Sequence, residues 1–285
     1  MSAQPRIVDA QIHVWKASTP DRPWPADAIE PHRAPLEVPE VVAEMVAAGV
    51  SGALLLAPTW EGSRNDYVLE TARADPERFG ALCRFATGDP AEVERLAHWR
   101  EVAGMRGIRI SLNRGDVAGV LAAADASGFF AAAERHGVPL SIYAPGRYDL
   151  YDELARRHRG LRITVDHAAI EAAEGPLVEA VEPLLALAAH PGIAVKASAL
   201  PCFVDEPHPF PSITEAVYRL VDAFGPERVF FGSDLSRLPV PYGELVDVFR
   251  HHLPRLGDDE RALVLGTALT TWLDWPASLE KENLR

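Results

Sequence analysis

The chain reads as an α/β protein, a (β/α)8 TIM barrel. Three observations lead there. Short β-branched and apolar runs alternate with helical stretches eight times within 285 residues. No Gly-rich phosphate loop follows any of the strands, which argues against a doubly wound dinucleotide-binding sheet. Polar and ionisable residues gather at the carboxyl ends of the predicted strands, where barrels of this kind place their chemistry.

The first strand, Ile7 to His13, alternates with period two. Asp9, Gln11 and His13 fall on one face, and Val8, Ala10, Ile12 and Val14 on the other. With helices covering the outside of a parallel sheet, the apolar face packs on them and the polar face is expected to point inward. A Pro-rich segment follows from Lys16 to Pro39, with Pro20, Pro23, Pro25, Pro31, Pro35 and Pro39. Helix is excluded there, and a long loop after a strand's carboxyl end suggests a lid or pocket wall. Pro39 opens a helix that Gly49 ends.

The remaining units follow in order. Strand Ser51 to Pro58 precedes helix Asn65 to Ala74, with Asn65 in the N-cap position. Strand Phe79 to Phe85 precedes helix Pro90 to Glu101, and strand Gly107 to Leu112 precedes a helical region from Asp116 to His136. Strand Pro139 to Ala144 precedes helix Asp149 to His158, and strand Leu161 to His167 precedes helix Leu177 to Ala189. Strand Ile193 to Ala199 precedes helix Ile213 to Phe224. Strand Arg228 to Asp234 precedes helix Tyr242 to His252, and a last helix runs from Asp258 to about Leu273. There is no linker and no repeat, so residues 1–285 are expected to form one domain.

Composition narrows the function. Apolar residues make up 48% of the chain, enough for a large core. No apolar run approaches the roughly 20 residues that span a bilayer. The start, Met1 to Arg6, lacks the basic and apolar segments of a secretory signal, so a cytoplasmic protein is expected. Cys83 and Cys202 are the only cysteines, which excludes a disulfide scaffold or a Cys-rich metal site. The net charge of −13 argues against nucleic-acid or anionic-membrane partners, while leaving room for a locally basic pocket. The expected partner is a small molecule, with a homodimer possible for such barrels.

The strand ends supply the candidate residues. They are Gln11 and His13 from strand one, then Thr59 and Trp60 after strand two. Arg109 lies in strand four, Tyr143 ends strand five and Asp166-His167 ends strand six. Lys196 and Ser198 come from strand seven, and Ser233-Asp234, Ser236 and Arg237 from strand eight. Each alone has a plain structural use; Arg109, for example, could pair with Asp9. Their convergence on one mouth is the argument for a site, because His13, His167 and Asp234 are types that bind metals or move protons.

These pieces resemble the amidohydrolase superfamily, in particular its amidohydrolase-related branch of dicarboxylate lactonases, sugar lactonases and non-oxidative decarboxylases. The similarity rests on Asp9-Ala10-Gln11-Ile12-His13-Val14-Trp15, Val165-Asp166-His167, Lys196-Ala197-Ser198, Phe231-Gly232-Ser233-Asp234 and Leu265-Gly266-Thr267-Ala268. The resemblance implies a divalent-metal site on a first-strand His-x-His, a strand-six His and the strand-eight Asp. Here that correspondence gives His13, His167 and Asp234, with Gln11 in place of the first His. A Gln amide is a poor zinc ligand beside an imidazole. The reading preferred from sequence is therefore a metal-free site, with one zinc or other divalent metal on His13, His167 and Asp234 as the alternative.

The mechanism expected on that basis is hydrolysis of a lactone or other carboxylic ester of a small acid. Asp234 takes a proton from water; His13, His167, Arg109 or Gln11 stabilises the oxyanion. Arg109 and Arg237 bind a substrate carboxylate, with Trp15, Trp60 and Tyr143 as walls and Lys196 as a further binding residue. The competing expectations are a zinc-dependent decarboxylase and a non-catalytic barrel that binds a small acid. Specificity is expected in the loops at residues 16–39 and 201–211; the latter carries His208, read as a surface residue.

Overall fold

A computed structural model describes residues 6–26, 28, 31–170 and 175–275; residues 27, 29 and 30 of the Pro-rich loop, residues 171–174 and both chain ends lie outside the described residues. Eight parallel strands form one sheet in sequence order. They are β1 (Val8–His13), β2 (Gly52–Leu56), β3 (Phe79–Cys83), β4 (Met105–Ser111), β5 (Leu140–Tyr143), β6 (Ile163–Val165), β7 (Ile193–Ser198) and β8 (Val229–Gly232). The helices around them are α1 (Val38–Ala48), α2 (Asp66–Ala74), α3 (Pro90–Glu94), α4 (Val117–Ala126), α5 (Phe129–Arg135) and α6 (Tyr148–Arg157). They continue with α7 (Leu177–Leu185), α8 (Pro211–Phe224), α9 (Tyr242–His251), α10 (Asp258–Ala262) and α11 (Ala268–Trp272). The expected (β/α)8 barrel is what the chain forms.

Several boundaries differ from the sequence expectation, each for a local reason. The helical region from Asp116 to His136 breaks into α4 and α5, because Gly128 takes a left-handed conformation at φ 73° and bends the pair by 58°. The last helix is interrupted at Leu263–Thr267. There Gly266 passes so close to β1 that a Cβ would lie 2.8 Å from the Val8 nitrogen. Asn65 sits at the N-cap of α2 but does not cap it; its side chain accepts from the Arg84 N–H and donates to the Arg84 carbonyl instead. Gly49 ends α1 as expected, left-handed at φ 70°. Among the described residues, no single helix is long and apolar enough to cross a membrane.

The first strand corrects the expectation of simple alternation. Val8 and Asp9 pair with Gly52 and Ala53, but Ile12 and His13 pair with Leu55 and Leu56. Three residues of β1 advance against two of β2, so Ala10 and Gln11 share one step in a bulge. The bulge turns Asp9 away from the mouth. Val8 and Ala10 pack instead with Leu54, Leu82, Phe230 and the last helix's Leu269 and Leu273, while Ile12 and Val14 join the core under the outer helices.

Asp9 has a structural task. No ladder joins β1 to β8. The Asp9 carboxylate accepts from the Ser233 N–H at 3.0 Å, the Gln11 N–H at 2.8 Å and the Tyr242 hydroxyl at 2.6 Å, and Asp234 N–H donates to the Gln11 carbonyl at 2.9 Å. A side chain thus bridges the seam that backbone pairing leaves open. Burial pushes the Asp9 carboxyl up to about 6, against the hydrogen bonds from Ser233, Tyr242 and Gln11. The folded chain holds this proton where the unfolded chain, at the ordinary 3.8, has lost it. That contribution to stability is complete below the ordinary value and is lost as pH rises through about 6. The melting temperature of wild type relative to Asp9→Asn should therefore fall across this window; a difference that stays flat would overturn the assignment.

Candidate active site

His167 and Asp234 sit just past the last ladder pairs of their strands, while His13, Arg109 and Tyr143 are still ladder-paired. His167, Ala199 and Asp234, at the ends of β6, β7 and β8, all have positive φ, at 52°, 57° and 53°. For residues with a Cβ such conformations cost of order 1–3 kcal/mol each, and they persist where neighbours over-determine them. Here the turn swings His167 and Asp234 into the mouth.

A cavity of about 510 Å³ opens there. His13, Trp60, Arg109, Tyr143, His167, Asp234 and Arg237 line it, as the sequence led one to expect. Gln11, Lys196 and Trp15 do not; they are fully buried behind the lining. Trp15 packs edge-on against Trp60 at 5.0 Å between centroids, so it supports the wall. Tyr143 contributes to the wall: its hydroxyl donates to the Ile170 carbonyl at 3.0 Å and its ring stands against His167.

Asp234 is the centre of the arrangement. Its Oδ1 lies 3.7 Å from His13 Nε2 and its Oδ2 lies 3.8 Å from His167 Nε2 and 3.9 Å from Arg237. Oδ1 is buried without a hydrogen-bond partner. Burial opposes its ionisation, but the basic groups around it, His167, His13, Arg237 and Arg109, outweigh that and hold it below the usual carboxylate range. Both imidazoles are kept neutral. Burial drives His13 down to about 3 and lowers His167, in each case against the pull of Asp234.

The tautomer of His13 follows from its partner. His13 Nδ1 faces the Leu56 carbonyl at 3.2 Å and must donate, which leaves the lone pair on Nε2. His167 Nδ1 is held by the Ser198 hydroxyl at 2.9 Å, with Nε2 towards Asp234. The two imidazole nitrogens face different oxygens of the buried Asp234 carboxylate, a donor set of the chemistry that suits a divalent cation. Gln11 is not part of that donor set. Lys196 Nζ donates to Gln11 Oε1 at 2.8 Å, which turns the amide NH2 towards His13 Nε2 at 3.3 Å. An NH2 group has no lone pair for a metal; its N–H points at the His13 Nε2 lone pair across 3.3 Å, a long hydrogen bond that orients the ring and that a bound cation would have to displace.

Beneath the cavity lies a buried ionic network. Lys196 Nζ is 2.8 Å from Asp166 Oδ1 and 2.7 Å from Ser141 Oγ. Arg109 Nε donates to Asp166 Oδ2 at 3.0 Å and one Nη to Ser111 at 2.7 Å. Arg109 is therefore paired with Asp166, not with Asp9. Burial alone would raise the Asp166 carboxyl, but Lys196 and Arg109 outweigh it and hold it far below the usual range. Burial likewise lowers the Lys196 ammonium, against the attraction of Asp166.

Sequence reading missed several members. His32 reaches the cavity from the Pro-rich loop, where Nε2 meets the Ser236 carbonyl at 2.8 Å and the ring stands edge-on to Trp60. A loop has no periodicity to reveal such a residue. Asn113 and Arg114 line the cavity in the turn after β4, and following the polar residues past Leu112 would have found them. Ser141 is the inward alternate of Tyr143 in β5, a pattern that was legible. His208 does not line the cavity.

A parallel barrel with two imidazoles and an aspartate at its strand ends has the layout of a barrel enzyme. The chain belongs to the amidohydrolase family, whose model matches residues 8–271. That family is enzymatic, mostly hydrolases and decarboxylases. Among curated proteins none matches significantly. Solved structures share the fold. One is an amidohydrolase from Burkholderia multivorans with bound zinc, 24% identical, TM-score 0.78, covering 95% of this chain and 100% of its own. Another is a proposed 2-pyrone-4,6-dicarboxylic acid hydrolase from Pseudomonas putida, 20% identical, TM-score 0.77, covering 97% and 100%. A third is 5-carboxyvanillate decarboxylase from Sphingomonas paucimobilis, 17% identical, TM-score 0.67, covering 96% and 100%.

Proposed function

We propose that this chain hydrolyses a lactone or other carboxylic ester of a small acid, assisted by a divalent metal held by His13, His167 and Asp234. The observation that carries this reading is the buried, ionised Asp234 with one oxygen unpaired, set between two neutral imidazoles in a cavity that Arg109, Arg114 and Arg237 also line. The unpaired Asp234 oxygen beside two imidazoles and the zinc in the Burkholderia multivorans neighbour favour the metal-dependent alternative over the metal-free reading drawn from the Gln11 substitution.

Bound there, a divalent cation polarises a carbonyl and acidifies water. The chain's own groups do the rest. Asp234 accepts the proton from the attacking water, since an ionised carboxylate is a base and not an acid at neutral pH. Arg237 and Arg114 meet a substrate carboxylate near the rim, and Arg109 does so deeper down, where Asp166 and Ser111 fix its plane. Gln11 acts as a positioning residue, holding the His13 ring under the control of Lys196.

Decarboxylation is the second reading. The same arginine-lined cavity suits an aromatic acid, and the 5-carboxyvanillate decarboxylase has this fold. One experiment separates the two: dicarboxylate and sugar lactones are assayed for ring opening, and hydroxylated benzoates for CO2 release, before and after chelation. Ring opening that falls to background with chelator and returns with zinc is the expected result. Chelator-resistant hydrolysis would restore the metal-free mechanism, and CO2 release alone would make the chain a decarboxylase.

A further inference from the structure

Away from the mouth, two imidazoles and a carboxylate converge on another point. We propose that His208, Asp247 and His252 form a second binding site for a divalent transition-metal ion, zinc by preference. His208 comes from the loop ahead of α8, Asp247 from α9, and His252 from the residue that follows α9. His208 Nε2 and His252 Nε2 approach the same oxygen, Asp247 Oδ2, at 2.9 and 3.0 Å. The three ligand atoms all lie within 4.8 Å of one another. The two rings stand perpendicular at 87°, with centroids 5.2 Å apart.

One detail distinguishes this from an ordinary ion pair. His208 Nε2 is buried and makes no aligned hydrogen bond, although a carboxylate oxygen is within bonding distance. Close approach without alignment is the geometry of lone pairs directed at a common third centre. Ligand atoms in tetrahedral coordination, at about 2.0–2.1 Å from zinc, lie about 3.3 Å apart. The two histidine-to-aspartate spacings need to open by only a few tenths of an ångström, and the two nitrogens already lie within 4.8 Å of each other. His251, one helical turn after Asp247, has Nε2 4.0 Å from Asp247 Oδ1 and is exposed, so a rotamer change brings a fourth nitrogen. Imidazoles with one carboxylate select zinc, nickel or copper over magnesium or calcium. None of the four residues lines the mouth cavity, so the site is independent of the proposed hydrolytic centre. A bound ion would tie the loop around His208 to α9.

The test is cobalt(II) and zinc(II) titration of the metal-stripped full chain, compared with the His208→Gln/His252→Gln double variant. Circular dichroism checks the fold of the variant, whose changes are at partly exposed positions. The proposal expects bound ion to drop by one per chain in the variant, with the lost site having a Kd of about 1 μM or tighter. It also expects zinc to raise the melting temperature of wild type by several degrees more than that of the variant, and hydrolase activity to be unchanged. Equal stoichiometry in the two proteins would overturn it, as would no binding by the wild type or only millimolar binding at this site.

Discussion

Asp234→Asn is expected to lower kcat by about 10³-fold or more, the upper part of the range for a positioned general base. The variant keeps the shape of the side chain, and Asn tolerates the left-handed backbone at φ 53° better than most residues. The fold should therefore survive, with a melting temperature close to wild type. The effect belongs to the charge. Asn cannot take a proton from water, and it replaces an anion that both imidazoles and Arg237 face within 4 Å. Steady-state kinetics beside thermal unfolding decides the matter. Loss of turnover with an intact fold supports the assignment; near-normal turnover sinks it. Because the wild-type carboxyl is held below the ordinary range by the basic groups around it, wild-type activity should stay level through neutral pH and fall only as the carboxyl protonates in acid.

Lys196→Met is expected to produce the largest loss of stability. The side chain is about the same length, so a cavity is not the issue. The ammonium serves Asp166, Ser141 and Gln11 at 2.7–2.8 Å in a fully buried position. Removing one partner of a buried ion pair costs about 3–5 kcal/mol, because the remaining charge keeps its desolvation penalty. Arg109 stays beside Asp166 and offsets part of it. For a chain of this size the cost corresponds to a drop in melting temperature of roughly 6–20 °C. A second consequence separates this role from packing alone. Without Lys196, nothing fixes the Gln11 amide by its oxygen, and His13 loses its orientation, so residual activity should fall further than stability explains. A variant that melts like wild type would show that the network contributes nothing to the fold.

The residues of the mouth were legible because parallel barrels obey a strong rule. Strand carboxyl ends meet, so polar residues that terminate separate strands become neighbours. His13, Arg109, His167 and Asp234 follow from that rule and from the order of the strands. The lining role expected of Gln11, Lys196 and Trp15 did not follow, since depth below the mouth has no signature in a linear pattern. Lys196 alternates inward as expected, yet its ammonium is consumed by Asp166, a partner 30 residues away that only the barrel brings within 2.8 Å.

The sequence by itself determined the architecture, because apolar periodicity, Pro and Gly positions and strand spacing are local properties repeated eight times. It also determined the acidic and imidazole chemistry at the mouth. Only the tertiary structure decided what Asp9 does. A one-residue bulge in β1, invisible to period-two counting, moves its carboxylate from the mouth to the seam between β1 and β8. The structure alone also set the direction of the Gln11 amide, through Lys196, and brought His32 from a loop onto the cavity wall. Each depends on which groups meet across the barrel, and such meetings are fixed by packing between distant segments rather than by any local preference of the chain.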